Sequence, residues 1–268
     1  MSLRLLLLWL AVGSSGVAAD TYIAIVGGLS GEERYEESFR SAVSDIAERS
    51  RGLVVDDSNV RVLDGANATR ESMHAMFVAL AADVTQDDQL VVVLVGHGTH
   101  DGTRYKYNIP GPDVTDTELD EWLDEIRCER QLVVLTTSAS GGALSTLEDD
   151  HRLVITATKN GNERNATVFG RYWIEALSLS VADTDKNDVV SAAEAFAYTA
   201  SRVAEHYSTR DRLATEHPRM EGDGANRFVV ARLKPRKQYP DHPQLTALMR
   251  KRSELEDAVE RLRDRKSD

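Results

Sequence analysis

The chain has almost no cysteine, no surplus of positive charge and no stretch at its start long enough to cross a bilayer. Cys128 is its single cysteine, so no disulfide can form within one monomer. Lysine and arginine number 32 against 44 aspartates and glutamates, a formal net charge of -12. A nucleic-acid binder normally carries a basic stripe, so this balance argues against that class. The apolar run at 5–12 is too short for a transmembrane helix.

What is present suits one α/β domain with a short appendage. The chain has 268 residues, 41% of them hydrophobic, enough for a sizeable core. Residues 1–19 read as an export leader: a weakly basic start, the apolar run, then Val17-Ala18-Ala19 as a small-residue cleavage site before Asp20. No cysteine sits near that cut, which argues against a lipoprotein anchor. The expectation is a secreted or periplasmic protein, with no membrane association once the leader is removed. The division expected is 1–19 leader, 20–233 folded domain, and 234–268 linker and tail.

Along the domain, short apolar runs alternate with helical patterns. Strands are predicted at 22–26, 60–63, 90–95, 132–135 and 153–157, the third a continuous β-branched run typical of a central parallel strand. Helices are predicted at 32–51, after a Thr69 cap, after an Asp116 cap, at 169–179 and at 192–206. Such alternation implies a mainly parallel sheet with helices on both faces. Ligand sites in these sheets form beyond the carboxyl ends of the strands. Gly96-His97-Gly98 and Ser138-Ala139-Ser140-Gly141-Gly142 both break the chain at such ends, which places His97 and Ser138 on one edge. In 245–262, Leu248, Leu255, Val259 and Leu262 suit a charged amphipathic tail helix.

These two loops carry a resemblance. A hydrophobic strand ending in His97-Gly98, then a helix, then a strand ending in Thr137-Ser138-Ala139-Ser140-Gly141, is similar to the legumain (C13) and caspase-like cysteine peptidases. The resemblance covers 21–232. It implies a caspase-like three-layer sandwich, with His97 as catalytic histidine and the Gly98 N–H as an oxyanion donor. The family's cysteine position is held by Ser138. A cysteine beside histidine supplies a thiolate, whereas serine needs an oriented base during attack. Cys128 cannot substitute: its strand is about 20 Å long at ~3.3 Å per residue, and Cys128 lies at the other end. His97, His100 and Asp101 offer three metal ligands but no fourth, and His100 reads as an exposed loop residue. The stretch 215–224 resembles the loops that shape substrate pockets in these peptidases.

A second signature begins at Asp183. Asp183, Asp185 and Asn187 fall at positions 1, 3 and 5 of a calcium loop, the Val189 carbonyl at 7, Ser191 at 9 and Glu194 at 12. Asp188 replaces the glycine usual at position 6. The pair Ser191 and Glu194 equally fits a helix capping box. No cofactor is required by the pattern; calcium is the one it allows.

Three functions stay open from the sequence. One is a degenerate peptidase that binds a peptide or protein ligand without cutting it. Another is a hydrolase, peptidase or esterase, using Ser138 with His97 as base. The third is a calcium-braced structural module. The oligomeric state is not legible.

Overall fold

The computed structural model describes residues 20–31 and 33–234, together with Gln244, Leu248, Lys251, Arg252 and Leu255. The expected leader, the linker at 235–243 and most of the tail lie outside the described residues. In the domain, β1 (Thr21–Gly27) leads to α1 (Glu33–Arg51), β2 (Val60–Leu63), α2 (Arg70–Asp83) and β3 (Gln89–Val95). Three short strands follow, β4 (Gly98–His100), β5 (Tyr105–Tyr107) and β6 (Val114–Thr115), then α3 (Asp116–Asp124). Next come β7 (Arg130–Leu135), α4 (Leu144–Leu147), β8 (Arg152–Thr156) and α5 (Phe169–Ala176). The last elements are β9 (Val189–Ser191), α6 (Ala192–Ser208), β10 (Arg219–Glu221) and β11 (Val229–Arg232).

Six strands form the central sheet in the order β10-β8-β7-β3-β1-β2. All neighbours are parallel except the edge pair β10-β8. Alternation along each strand feeds two cores. Ile23, Val91, Val93, Leu132 and Ile155 pack with α1, α5 and α6 on one face. Ala24, Val92, Leu94 and Val133 pack with α2 and α3 on the other. Each fully buried Val, Leu or Ile contributes roughly 1.5–3 kcal/mol relative to exposure. The expected layered α/β architecture is therefore the observed one, a caspase-like fold.

Local chemistry explains the boundaries. Thr69 caps α2 as expected, accepting the Ser72 N–H. The α3 cap is Thr115 and not Asp116: Thr115 Oγ1 accepts the Glu118 N–H while Glu118 accepts the Thr115 N–H, a complete capping box. Asp116 is instead buried in the first turn, where its carboxylate accepts the Tyr105 N–H at 3.1 Å. The helix expected at 169–179 stops at Ala176. Two small antiparallel sheets, β4-β5-β6 and β9-β11, were not predicted.

Candidate functional site

Register places the site. Val95 at the end of β3 pairs with Gly27 of β1, and Leu94 pairs with Leu135 of β7. His97-Gly98 and Ser138 thus leave adjacent strands at the same edge. The backbone there is tightly determined. The Tyr107 hydroxyl lies 2.8 Å from the carbonyls of both Val26 and Val95, joining the ends of β1 and β3. Burial pushes this phenol, and that of Tyr105, well above the ordinary tyrosine range. Tyr105 in turn meets Thr137 Oγ1 at 2.5 Å, beside Ser138. Ala139 adopts a left-handed conformation (φ 55°), and its N–H donates to the Glu163 carbonyl at 2.8 Å.

Ser138 is 4% exposed. Its hydroxyl donates to the Gly98 carbonyl at 2.9 Å and accepts the Gly98 N–H at 3.3 Å. A hydroxyl has one proton, and here that proton goes to a backbone carbonyl. The Gly98 N–H, the donor that the family resemblance assigns to an oxyanion, is turned on the side chain that would have to attack. Ser138 must rotate away from both partners before it can meet a base or a substrate carbonyl.

His97 lines a cleft of about 330 Å³ between α1 and α5. Tyr35 and Phe39 of α1 each place a ring edge-on to the imidazole, with centroids 5.1 Å apart. Thr136 and Gly170 line the cleft floor, with Ile174 on the α5 side. Edge-to-face rings hold the imidazole in a defined plane and give the cleft an aromatic wall.

Sequence reasoning missed two supports. His100, expected on the surface, is a half-buried wedge: a Cβ on Gly161 would lie 2.3 Å from its ring and one on Gly142 2.5 Å. Its Nδ1 accepts the Gly102 N–H at 3.1 Å, while Asp101 accepts the N–H groups of Thr103 and Arg104. His100 and Asp101 are thus engaged in loop structure, and the sparse metal set drawn from them does not form. Glu216 lies in the stretch expected to shape a pocket. With His217 and Pro218 it lines a cleft against α6, and it also caps α5 from a distance, accepting the N–H groups of Val168 at 2.8 Å and Phe169 at 3.2 Å, with the Tyr207 hydroxyl at 3.1 Å. Nothing in its sequence neighbourhood signals a partner 47 residues away. Beside it, His217 Nδ1 lies 2.5 Å from Glu163 Oε1.

Cys128 precedes β7 whereas Ser138 follows it, so the two occupy opposite edges. Its thiol donates to the Arg130 carbonyl at 3.4 Å, and burial raises its pKa above the ordinary thiol range. Neither property suits a nucleophile.

The acidic loop folds inward on itself. Oxygens of Asp183, Asp185 and Glu194 lie within 4.8 Å of one another. Asp183 accepts the N–H groups of Asn187 and Asp188, and Asn187 Oδ1 accepts that of Val189. Asp188 takes φ 68°, the left-handed turn expected at position 6. Ser191 and Glu194 complete the capping box of α6. Burial alone would raise the Glu194 carboxyl, but donors from Ser191 and Thr184 bring it below its ordinary range. Val189 and Ser191 lie in β9, which pairs with β11. The loop's carboxylates thus cap α6 through Glu194 and lie close together at Asp183, Asp185 and Glu194.

No family model and no curated protein matches this chain. Its fold is similar to that of caspase-1 from Spodoptera frugiperda, with a TM-score of 0.55 and 13% identity over 83% of this chain and 93% of that one. The protein GSU0716 from Geobacter sulfurreducens is similar at a TM-score of 0.55 and 12% identity, over 80% of this chain and all of that one. At these identities the likeness concerns the fold alone.

Proposed function

We propose that this chain is an exported homologue of the C13 peptidases that binds a peptide or protein segment in the cleft beside His97 without cutting it. One observation carries the reading: the Ser138 hydroxyl, buried, exchanges both of its strong hydrogen bonds with the backbone of Gly98. An active serine hydrolase requires that hydroxyl to give its proton to an oriented base while separate N–H groups await the oxyanion. Here one interaction occupies the hydroxyl and the N–H together. The aromatic wall of Tyr35, Phe39 and His97 remains as a recognition surface. Peptides selected on the wild-type protein should bind about tenfold more weakly to Tyr35→Ala and to His97→Ala, from the loss of aromatic contact. Fluorescence anisotropy reads this directly. Equal affinity in both variants would place the binding elsewhere.

A second role is favoured by the convergence of Asp183, Asp185 and Glu194. Calcium in this loop braces the junction of β9 and α6, with Asn187, the Val189 carbonyl and Ser191 completing the donor set. A lone loop of this kind binds in the ~10⁻⁴ to 10⁻³ M class. At 5 mM calcium and a Kd of ~1 mM the linkage gain is about 1 kcal/mol, or roughly 2–4 °C in melting temperature. The gain should vanish in Asp183→Ala. Identical calcium shifts in both proteins would remove the site.

A further inference from the structure

A second concave surface lies between α2 and α3, on the face of the sheet opposite α1 and α5. From α2, His74, Phe77, Val78 and Ala81 line it at i, i+3, i+4 and i+7, one stripe of the helix. Phe77 is buried, whereas Val78 is left 56% exposed. Trp122 of α3 supplies the other wall and is half-buried. Its ring meets His74 at 5.3 Å and Phe77 at 5.7 Å, tilted by 44° and 48°. Rings tilted in this way form a corner and not a stack. The groove has a volume of about 450 Å³, within the range of small-ligand pockets.

Charge decides what such a groove can hold. The end of α3 and its C-cap carry Asp120, Glu121, Asp124 and Glu125, with no basic residue in the last turn. A helix C-terminus is the negative end of the backbone dipole, so acids gathered there repel it and one another. Arg152 neutralises two of them, meeting Asp120 at 2.6 Å and Asp124 at 2.7 Å. Glu121 and Glu125, one turn apart, line the groove on either side of Trp122 in sequence. Both are exposed, and neither has an ion-pair or hydrogen-bond partner among the described residues. Arg70, at the start of α2, is paired with Glu118.

We infer that this groove is a second ligand site, which takes a small alkylated ammonium cation. An anion would meet two unpaired carboxylates. A neutral apolar ligand would fill the aromatic corner and leave their mutual repulsion in place. A compact, strongly hydrated ammonium gains little from aromatic walls, whereas a quaternary ammonium is held by ring faces and carboxylates together. The site is independent of the cleft beside His97.

The test is a titration of the full chain with choline chloride, read by tryptophan fluorescence and by calorimetry. Saturable binding is expected, weakening as salt is raised. Glu121→Gln with Glu125→Gln should weaken it about tenfold through the loss of two exposed attractions. The same double variant should melt no lower than the wild type, because the end of α3 loses repulsion. Trp122→Phe should weaken binding about threefold. The uncharged isostere 3,3-dimethylbutanol should bind far more weakly than choline. Failure to saturate, equal binding of the isostere, or unchanged affinity in the double variant overturns the inference. So does a double variant that melts lower, since the carboxylates would then serve the fold. Tighter binding of N-acetyl-lysine methylamide than of choline would make the occupant a partner's basic side chain, and the small-cation assignment would fall.

Discussion

Replacing Gly98 by alanine lowers the melting temperature by roughly 6–12 °C, the equivalent of about 3 kcal/mol at this chain length. The new Cβ would sit 2.4 Å from Tyr105 Cε2, 2.7 Å from the Tyr105 hydroxyl and 2.6 Å from the Ser138 carbonyl. None of these can step aside cheaply. The Ser138 carbonyl belongs to backbone fixed by the end of β7. Tyr105 is fully buried and holds Thr137 through its hydroxyl. The glycine at this position is therefore required by close approach, whatever chemistry the loop performs. Calorimetry of the purified variant decides the matter. A shift below about 1 °C would mean that the Gly98 and Ser138 backbones are not packed as described, and the hydroxyl lock would fall with them.

Glu216→Ala is the second change with a large expected effect. It strands two N–H groups at the start of α5, while the Tyr207 hydroxyl keeps Thr215 Oγ1 at 3.0 Å. A buried donor left unsatisfied costs about 1–3 kcal/mol, so a total of roughly 2–4 kcal/mol is expected after partial rehydration. Glu216→Gln keeps one acceptor oxygen and should cost less. The pH profile adds a sign. Burial outweighs the donors and raises the Glu216 carboxyl above its ordinary range. Folding therefore favours its protonated form. That contribution is full below the ordinary carboxylate range and is lost as pH rises through the raised value. Glu163 behaves oppositely. Burial would raise it, but N–H groups of Lys159 and His217 and the His217 ring bring it below its ordinary range on balance. Its contribution is present above the ordinary range and lost as pH falls. Glu216→Gln should thus remove a loss of stability on the alkaline side of the carboxylate range, and Glu163→Gln one on the acid side. Thermal melts of the three proteins from pH 3.5 to about 8 would show both. Parallel profiles for all three would contradict the burial of Glu216.

The frame of the domain was legible because its information is local. Runs such as Val91-Val92-Val93-Leu94-Val95 have one physical explanation, a strand buried on both faces, and two glycine-rich breaks then fall at one edge by topology. Thr69 and the pair Ser191 and Glu194 announced their caps within four residues. What stayed hidden was either too short or too distant. Strands of two or three residues, such as Val114–Thr115, carry no alternation to read. Thr115 and Asp116 are both good caps, and only the return of Glu118 to the Thr115 N–H separates them. His100 becomes a wedge only because Gly142 and Gly161 converge on it from other elements. The resemblance singled out Ser138, but the direction of its proton is a matter of geometry, set by a glycine 40 residues earlier.

That proton is the centre of the functional claim. Incubating the wild-type protein and Ser138→Ala with a fluorophosphonate probe, alongside a diverse peptide library read by mass spectrometry, tests it most directly. The expected result is no labelling of Ser138 and no new peptide termini in either protein, with the same peptides retained intact by both. Labelling and cleavage by the wild type that disappear in Ser138→Ala would show that the hydroxyl leaves Gly98 and attacks, and would make this chain a serine hydrolase.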